Sequence, residues 1–413
     1  MSLWDTISWK TATFALVCIV LSGCSHVKSV DQIPKSKDDE PKSLVIFLDG
    51  TANDEISRTN ISKLHSLVSL QGRSDIITTY IEGVGTNTNI IGMAMGWGIG
   101  HDVRQGYSFL ANNYRYERGD KIYIFGFSRG AYAARILAAL IHTAGIQDIS
   151  KMDDKAGHEY IDKLYDAYKG EKSLTQRRKD VATVAKLPLV SRDIEFLGLW
   201  DTVEALGTPD YKEDTKLPNR RYGDQLCNIK SAAHALSADD NRARAFTPIL
   251  LTYSELTREC KEKVVIDDIV DEVWFAGAHS DVGGGYADTN IDGVSLNWML
   301  QKIQDYDIVP ANSSVYADPL DLTHNPEHGA WGLIYRKASR SLFEYAETSR
   351  YNDHKLKLHR SLLNRLNARI PRSFEYQWCE LGETGRSEFQ DCFICSTEGI
   401  KYKYNSDCFT VVD

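Results

Sequence analysis

Gly126-Phe127-Ser128-Arg129-Gly130 sets a serine between two glycines, with Lys121-Ile122-Tyr123-Ile124-Phe125 before it and Ala131-Tyr132-Ala133-Ala134-Arg135-Ile136-Leu137 after it. A β-branched and aromatic run, a sharp turn and an Ala-rich helical pattern form the context of a nucleophile elbow. The chemistry this implies is attack by the Ser128 hydroxyl on an acyl carbon. An elbow holds its serine in strained backbone geometry, so a side chain at 126 or 130 would strike the neighbouring helix or strand. The backbone N–H of Arg129 then falls at the start of the helix, where the dipole and a free donor favour a developing oxyanion. The alternative for Ser128 is a serine in a structural β-turn.

A serine hydroxyl is a poor nucleophile until a base takes its proton, so the chain must also supply a histidine and an acid. With an elbow serine the order along the chain is Ser, then Asp or Glu, then His, each on a loop at the carboxyl end of a strand. Asp201 directly follows Asp193-Ile194-Glu195-Phe196-Leu197-Gly198-Leu199-Trp200, and His279 follows Asp271-Glu272-Val273-Trp274-Phe275-Ala276-Gly277-Ala278. These two are assigned as acid and base; the competing roles are a helix N-cap for Asp201 and a loop-supporting histidine for His279. His234 is the rival base. Its neighbours Ala232, Ala233, Ala235 and Leu236 place it mid-helix within 229–238, where a triad histidine seldom sits. Asp49-Gly50-Thr51-Ala52-Asn53 leaves the first strand, and Gly50 or Thr51 is the expected second donor of the oxyanion hole, unless the segment is only a tight turn. Ser280-Asp281-Val282-Gly283-Gly284-Gly285-Tyr286 follows His279. Its glycines permit close backbone approach, to a substrate acyl group or within a turn, and Asp281 either binds a cation or orients His279. The chemistry calls for no cofactor and no metal.

The elements that must position these groups alternate. Ser43-Leu44-Val45-Ile46-Phe47-Leu48 reads as a fully apolar strand, 61–70 as a helix, and 75–82 as a second strand. A Gly/Met/Trp-rich loop at 92–100 leads into an amphipathic helix through 114. The overlapping stretch 90–97, with Ile90, Ile91, Met93, Met95 and Trp97, forms either a lid or membrane-facing rim, or buried core. After the elbow helix, 151–186 is charged and helical. Strands this apolar, separated by helices, predict an α/β fold: a mostly parallel sheet covered by helices on both faces, with helical insertions. The catalytic domain is expected over 43–310. Beyond 310 the pattern weakens, and 311–413 reads as a cysteine-containing extension or cap.

The N-terminus concerns address. Lys10 precedes an apolar stretch over 12–21 that ends in Leu21-Ser22-Gly23-Cys24, a secretory signal too short to span a bilayer permanently. Cys24 after Leu-Ser-Gly resembles a bacterial lipobox. The resemblance implies that Cys24 is acylated and becomes the mature N-terminus. With Ser25 rather than Asp behind it, it also implies sorting to the outer membrane of the cell envelope; the alternative is an uncleaved apolar anchor. Residues 1–23 are thus the signal peptide, and 24–42, polar with two prolines and Asp38-Asp39-Glu40, a tether. Acyl chains, at about 0.8 kcal/mol per buried CH₂, would hold the protein at a membrane surface. The formal charge of −9, with no basic cluster beyond the short Arg177-Arg178-Lys179, argues against nucleic-acid binding. Besides Cys18 and Cys24 there remain Cys227, Cys260, Cys379, Cys392, Cys395 and Cys408. An even number in an exported chain suggests disulfides. For the C-terminal group around Cys392-Phe393-Ile394-Cys395 a disulfide-stapled tail is favoured over zinc.

Four segments together resemble one family: Phe47-Leu48-Asp49-Gly50-Thr51, the elbow through Arg135, Leu197-Gly198-Leu199-Trp200-Asp201-Thr202-Val203, and Gly277-Ala278-His279-Ser280-Asp281-Val282-Gly283-Gly284-Gly285-Tyr286. It is the α/β-hydrolase domain family of uncharacterised proteins that includes type VI secretion phospholipase effectors, and the resemblance runs from about 43 to 305. It implies a Ser128-Asp201-His279 triad and a phospholipase of A type that hydrolyses phospholipid acyl esters at a membrane surface. Secreted effectors of this kind are not expected to carry a lipobox, so delivery into another cell and residence in the envelope stand as separate fates. Hydrolysis of some other ester, and a non-catalytic lipoprotein scaffold, are the alternatives. A scaffold has no physical need for Ser128, Asp201 and His279 together.

Overall fold

Alternate residues of a strand face opposite sides of a sheet, and in β1 (Ser43–Leu48) both sides are apolar. In the computed structural model Leu44, Ile46 and Leu48 enter one buried cluster, and Val45 and Phe47 another. β3 (Lys121–Phe127) divides likewise, Ile122 and Ile124 to the first cluster and Tyr123, Phe125 and Phe127 to the second. Continuous apolar strands of this kind are buried on both faces. The structure describes residues 39–50, 53, 56–83, 97–204, 220–240, 242, 246–326, 340, 342, 345, 355–368, 393–394, 403–404 and 409–413.

β2 (Ile76–Ile81), β4 (Phe196–Trp200), β5 (Ala232–Ser237), β6 (Val270–Phe275), β7 (Leu356–His359) and β10 (Phe409–Val412) complete an eight-stranded sheet in the order β10-β7-β6-β5-β4-β3-β1-β2. Every ladder in it is parallel. One face is covered by α2 (Trp97–Asn113), α3 (Arg129–Ala144) and α4 (Asp154–Tyr168), with α5 (Leu174–Ala182) adding Val181. The other carries α1 (Asn60–Ser69) and, later in the chain, α8 (Asp292–Ile303), which follows the short α6 (Ile266–Ile269) and α7 (His279–Gly283). This is an α/β-hydrolase-like architecture, as the alternating pattern predicts. α3 is buried along its whole length, which accounts for its alanines: larger side chains would not fit between sheet and neighbouring helices.

Two results differ from the sequence expectation or extend it. The segment around His234 is strand β5 and not a helix. Its alanines favour helix locally, but the run pairs with β4 on one side and β6 on the other, and that tertiary setting overrides the local preference. Beyond residue 310, β7 and β10 join the same sheet next to β6, followed in sequence by α9 (Arg360–Asn367) in the case of β7. β8 (Phe393–Ile394) and β9 (Lys403–Tyr404) pair separately and antiparallel. Cys227 and Cys260 are joined in a disulfide. The signal peptide and nearly all of the tether, the apolar loop at 90–96, and Cys379, Cys392, Cys395 and Cys408 lie outside the described residues. Among the described residues no helix is long and apolar enough to cross a membrane.

β1 has β2 on one side and β3 on the other: Leu48 pairs with both Ile81 and Gly126. The chain leaves β1 toward one edge and returns on the opposite side. That is a topological switch point, where α/β sheets open a crevice at the carboxyl ends of their strands.

Candidate active site

Ser128 stands at this switch point, between the end of β3 and the start of α3. Its φ of 57° and ψ of −124° are unusual for a residue with a side chain. The chain tolerates the turn because its flanks are bare. A Cβ at Gly126 would stand 2.5 Å from Ala131 Cα, and one at Gly130 would collide with the Leu48 carbonyl. Ser128 N–H donates to the Trp200 carbonyl at 3.0 Å, which fixes the elbow to the end of β4.

Asp201 follows β4 with φ 39°, a second non-glycine residue in the left-handed region. His279 is the first residue of α7, beyond the end of β6. The three side chains meet although they are far apart in sequence: Ser128 Oγ lies 2.8 Å from His279 Nε2, and His279 Nδ1 lies 2.5 Å from Asp201 Oδ2. An ionised carboxylate only accepts hydrogen bonds, so Nδ1–H donates to Asp201 and the Nε2 lone pair faces the serine hydroxyl. Phe127 and Phe246 flank the imidazole, with ring centroids 4.7 and 5.0 Å away.

Asp201 is fully buried, and its remaining acceptor sites are filled. Ser237 N–H donates to Oδ1 at 3.0 Å, and the Arg340 guanidinium donates to Oδ1 at 2.7 Å and to Oδ2 at 2.9 Å. Burial opposes ionisation of this carboxyl, but the Arg340 charge and the His279 hydrogen bond outweigh it and hold the group far below the usual carboxylate range. Asp240 accepts the His279 backbone N–H at 3.3 Å and is itself clasped by Arg242 at 2.7 Å. Burial again opposes its charge, and Arg242 more than compensates, so this carboxyl also lies below its ordinary value.

The other sequence candidates fall as follows. Arg129 opens α3 directly after the serine and is buried. Gly50 packs on Ser128, where a Cβ would stand 3.1 Å from Ser128 Cβ, but its N–H donates to Asp49 Oδ1 at 2.6 Å. The Asp49 carboxylate is anchored in turn by Thr59 and Tyr80, each 2.5 Å from Oδ2. Thr51 and Cys24 lie outside the described residues. His234 is buried in β5, with Nε2 against Thr202 and Nδ1 against Glu272. The hydrogen bonds of Asp281 go to the turn and to His324, and not to the imidazole of His279. Its Oδ2 accepts Ala278 N–H and His324 N–H, each at 2.9 Å, and its Oδ1 meets His324 Nδ1 at 2.7 Å. It thus supports the turn that carries His279. Of the glycines after it, Gly283 leaves room for Phe127 and Gly284 for the Asn60 backbone, so those two close approaches are made by the chain itself. Among the described residues no group of His, Cys, Asp and Glu is arranged to hold a metal.

Sequence reasoning missed Arg340, Ser237, Asp240 and His324. Ser237 and Asp240 were within reach, since Ser237-Ala238-Asp239-Asp240 ends a strand once 232–237 is read as one. Arg340 and His324 sit where the chain shows neither motif nor periodicity.

Residues 42–302 match the family described as T6SS phospholipase effector Tle1-like, catalytic domain. An uncharacterised protein of Saccharomyces cerevisiae is 27% identical over 266 residues, covering 55% of this chain and 37% of that relative. The chain therefore spans little more than a third of that curated relative. Among solved structures, an uncharacterised protein from Pseudomonas aeruginosa is 18% identical with TM-score 0.40, covering 64% of this chain and 45% of the other. A Tle1 effector bound to the VgrG spike is 18% identical with TM-score 0.33, covering 60% and 52%. Thermogutta terrifontis esterase 2 is 14% identical with TM-score 0.36, covering 68% and 87%.

Proposed function

Because the chain belongs to the family of type VI secretion phospholipase effector Tle1-like catalytic domains, we propose that it hydrolyses acyl esters of lipids, as a phospholipase of A type, with Ser128 as nucleophile, His279 as base and Asp201 as the acid that orients it. The observation that carries this reading is the hydrogen-bonded line from Ser128 Oγ through His279 to Asp201. In this mechanism His279 Nε2 takes the hydroxyl proton as Oγ attacks the ester carbonyl carbon. Asp201 stabilises the imidazolium that forms. The oxyanion faces the Arg129 N–H at the start of α3, where the helix dipole favours negative charge, with Thr51 as the second donor, since the Gly50 N–H is engaged by Asp49. Collapse of the intermediate expels the alcohol, here the lysolipid, which receives the proton from His279. Water, activated by the same imidazole, then releases the fatty acid and restores Ser128.

The test is incubation of the purified chain and its Ser128→Ala variant with phospholipids and short-chain esters, with products identified by mass spectrometry. Release of fatty acid and lysophospholipid by the wild type alone supports the reading. Turnover of soluble esters with no attack on any phospholipid would turn it to a general esterase. Turnover by both proteins would remove Ser128 from the mechanism.

The apolar run at 12–21 and Leu21-Ser22-Gly23-Cys24 support attachment of this enzyme to the bacterial outer membrane through acylated Cys24. An acylated N-terminal peptide beginning at Cys24, recovered from membranes, is the expected result. An unacylated Met1 terminus on soluble protein would favour a delivered effector, with a secretion spike as partner.

A further inference from the structure

We infer that Arg340, contributed from outside residues 42–302, is a positioning residue for the triad acid: its guanidinium grips both oxygens of Asp201 and cancels that carboxylate's charge next to His279. The inference rests on the reading of Ser128, His279 and Asp201 as a triad.

The geometry is that of a fork with its handle clamped. Nη1 donates to Asp201 Oδ1 at 2.7 Å and to the Ser237 carbonyl at 2.6 Å. Nη2 donates to Asp201 Oδ2 at 2.9 Å and to the Phe246 carbonyl at 2.6 Å. The two carbonyls fix the plane of the guanidinium, and the guanidinium fixes the plane of the carboxylate. Asp201 has room for about four donors. The pair from Arg340, the Ser237 N–H and His279 Nδ1–H fill those places. With every acceptor position taken, the carboxylate cannot rotate, and the imidazole has one place to dock.

The charge matters as much as the shape. Both side chains of the ion pair are fully buried, where interactions are weakly screened. Among the described residues around His279 stand two ion pairs, Arg340 with Asp201 and Arg242 with Asp240. Asp239 accepts the Gly277 N–H on the same turn, and the Tyr345 phenol faces Arg340. Remove the arginine charge and the carboxylate beside the imidazole is left uncompensated. The Asp201–His279 pair then takes up a proton at higher pH, whichever of the two carries it. An imidazolium cannot accept the Ser128 proton, so activity would fail at a higher pH on the acid side.

The test compares the full-length wild type with Arg340→Met and Arg340→Lys, measuring kcat/KM for a short-chain nitrophenyl ester from pH 5 to 9 and checking the fold by circular dichroism. Arg340→Met is expected to move the acid limb up by about one pH unit and to lower kcat about tenfold or more, with KM little changed. Arg340→Lys keeps a charge but loses the fork. It is expected to leave the limb within a few tenths of a unit of wild type and to restore part of the rate. A folded Met variant whose limb does not move would overturn the inference, whatever its rate. If the Met variant does not fold, a Lys variant with wild-type kcat, or with a displaced limb, overturns it equally. Ser128→Ala is run alongside. Its retained activity would sink the triad reading, whereas an inactive Ser128→Ala with an unmoved limb in Arg340→Met would sink this inference alone.

Discussion

The backbone N–H of Thr202 donates to Nε2 of His234 at 3.1 Å, one residue beyond the Asp201 carboxylate. The Thr202 hydroxyl lies 3.0 Å from the same nitrogen, and His234 Nδ1 meets Glu272 Oε2 at 2.8 Å. Glu272 also receives Leu251 N–H and the Thr252 hydroxyl. His234 therefore binds the end of β4 to β6 from within the sheet, and both of its ring nitrogens are engaged away from Ser128.

This arrangement separates two histidines by experiment. His279→Ala is expected to lower kcat by on the order of 10³-fold or more while the protein stays folded. His234→Ala removes one of the hydrogen-bond partners of the buried Glu272 and empties a filled site in β5, and should destabilise by about 3 kcal/mol. Urea unfolding and steady-state kinetics on both variants check the ranking, and the reverse result would make His234 the base.

Ser128→Ala removes the hydroxyl proposed as nucleophile but leaves Gly126, Gly130 and the strand untouched. Hydrolysis should fall to the residual level supplied by binding and the oxyanion donors, with the melting temperature within a few degrees of wild type. A large fall in melting temperature would instead mark the serine hydroxyl as structural.

His324 closes the turn that carries His279 by bonding to Asp281 and, at 3.1 Å, to Asp288, with Tyr286 stacked on its ring. Burial disfavours its charge, but the hydrogen bond to Asp281 and the two carboxylates outweigh this and raise its pKa above 6.5. A raised histidine contributes stability that is complete below about pH 6.5 and is lost as pH rises through the folded-state value. His324→Gln should therefore lower the melting temperature more at pH 6 than at pH 8.5. A deficit that is equal at both values would show that the ring acts without its charge.

The disulfide between Cys227 and Cys260 closes a loop with a sequence separation of 33. Cross-linking a loop of that length limits the unfolded chain by about 4 kcal/mol. The double Cys→Ser variant should lose stability of that order in urea unfolding, and dithiothreitol should destabilise the wild type by about that much more than the variant. A loss under about 1 kcal/mol would show that the reduced chain already holds this loop closed.

Much of the site was legible because its parts are local. An elbow needs a strand, bare flanks and a helix within a short span, and Lys121 to Leu137 displays all three. Asp201 and His279 each end an apolar strand run, and parallel strands bring their carboxyl ends to one edge. The sequence alone thus determined the alternation of elements, the elbow and the residues able to meet Ser128. It misjudged β5, because an alanine run carries no sign of the strands on either side of it. What only the tertiary structure decided is what surrounds Asp201. Arg340 is 139 residues away along the chain and lies in no periodic pattern. Two buried charges with a fork between them leave no trace in a linear pattern, since their attraction depends on distance in space and on the absence of water, and neither is encoded by spacing.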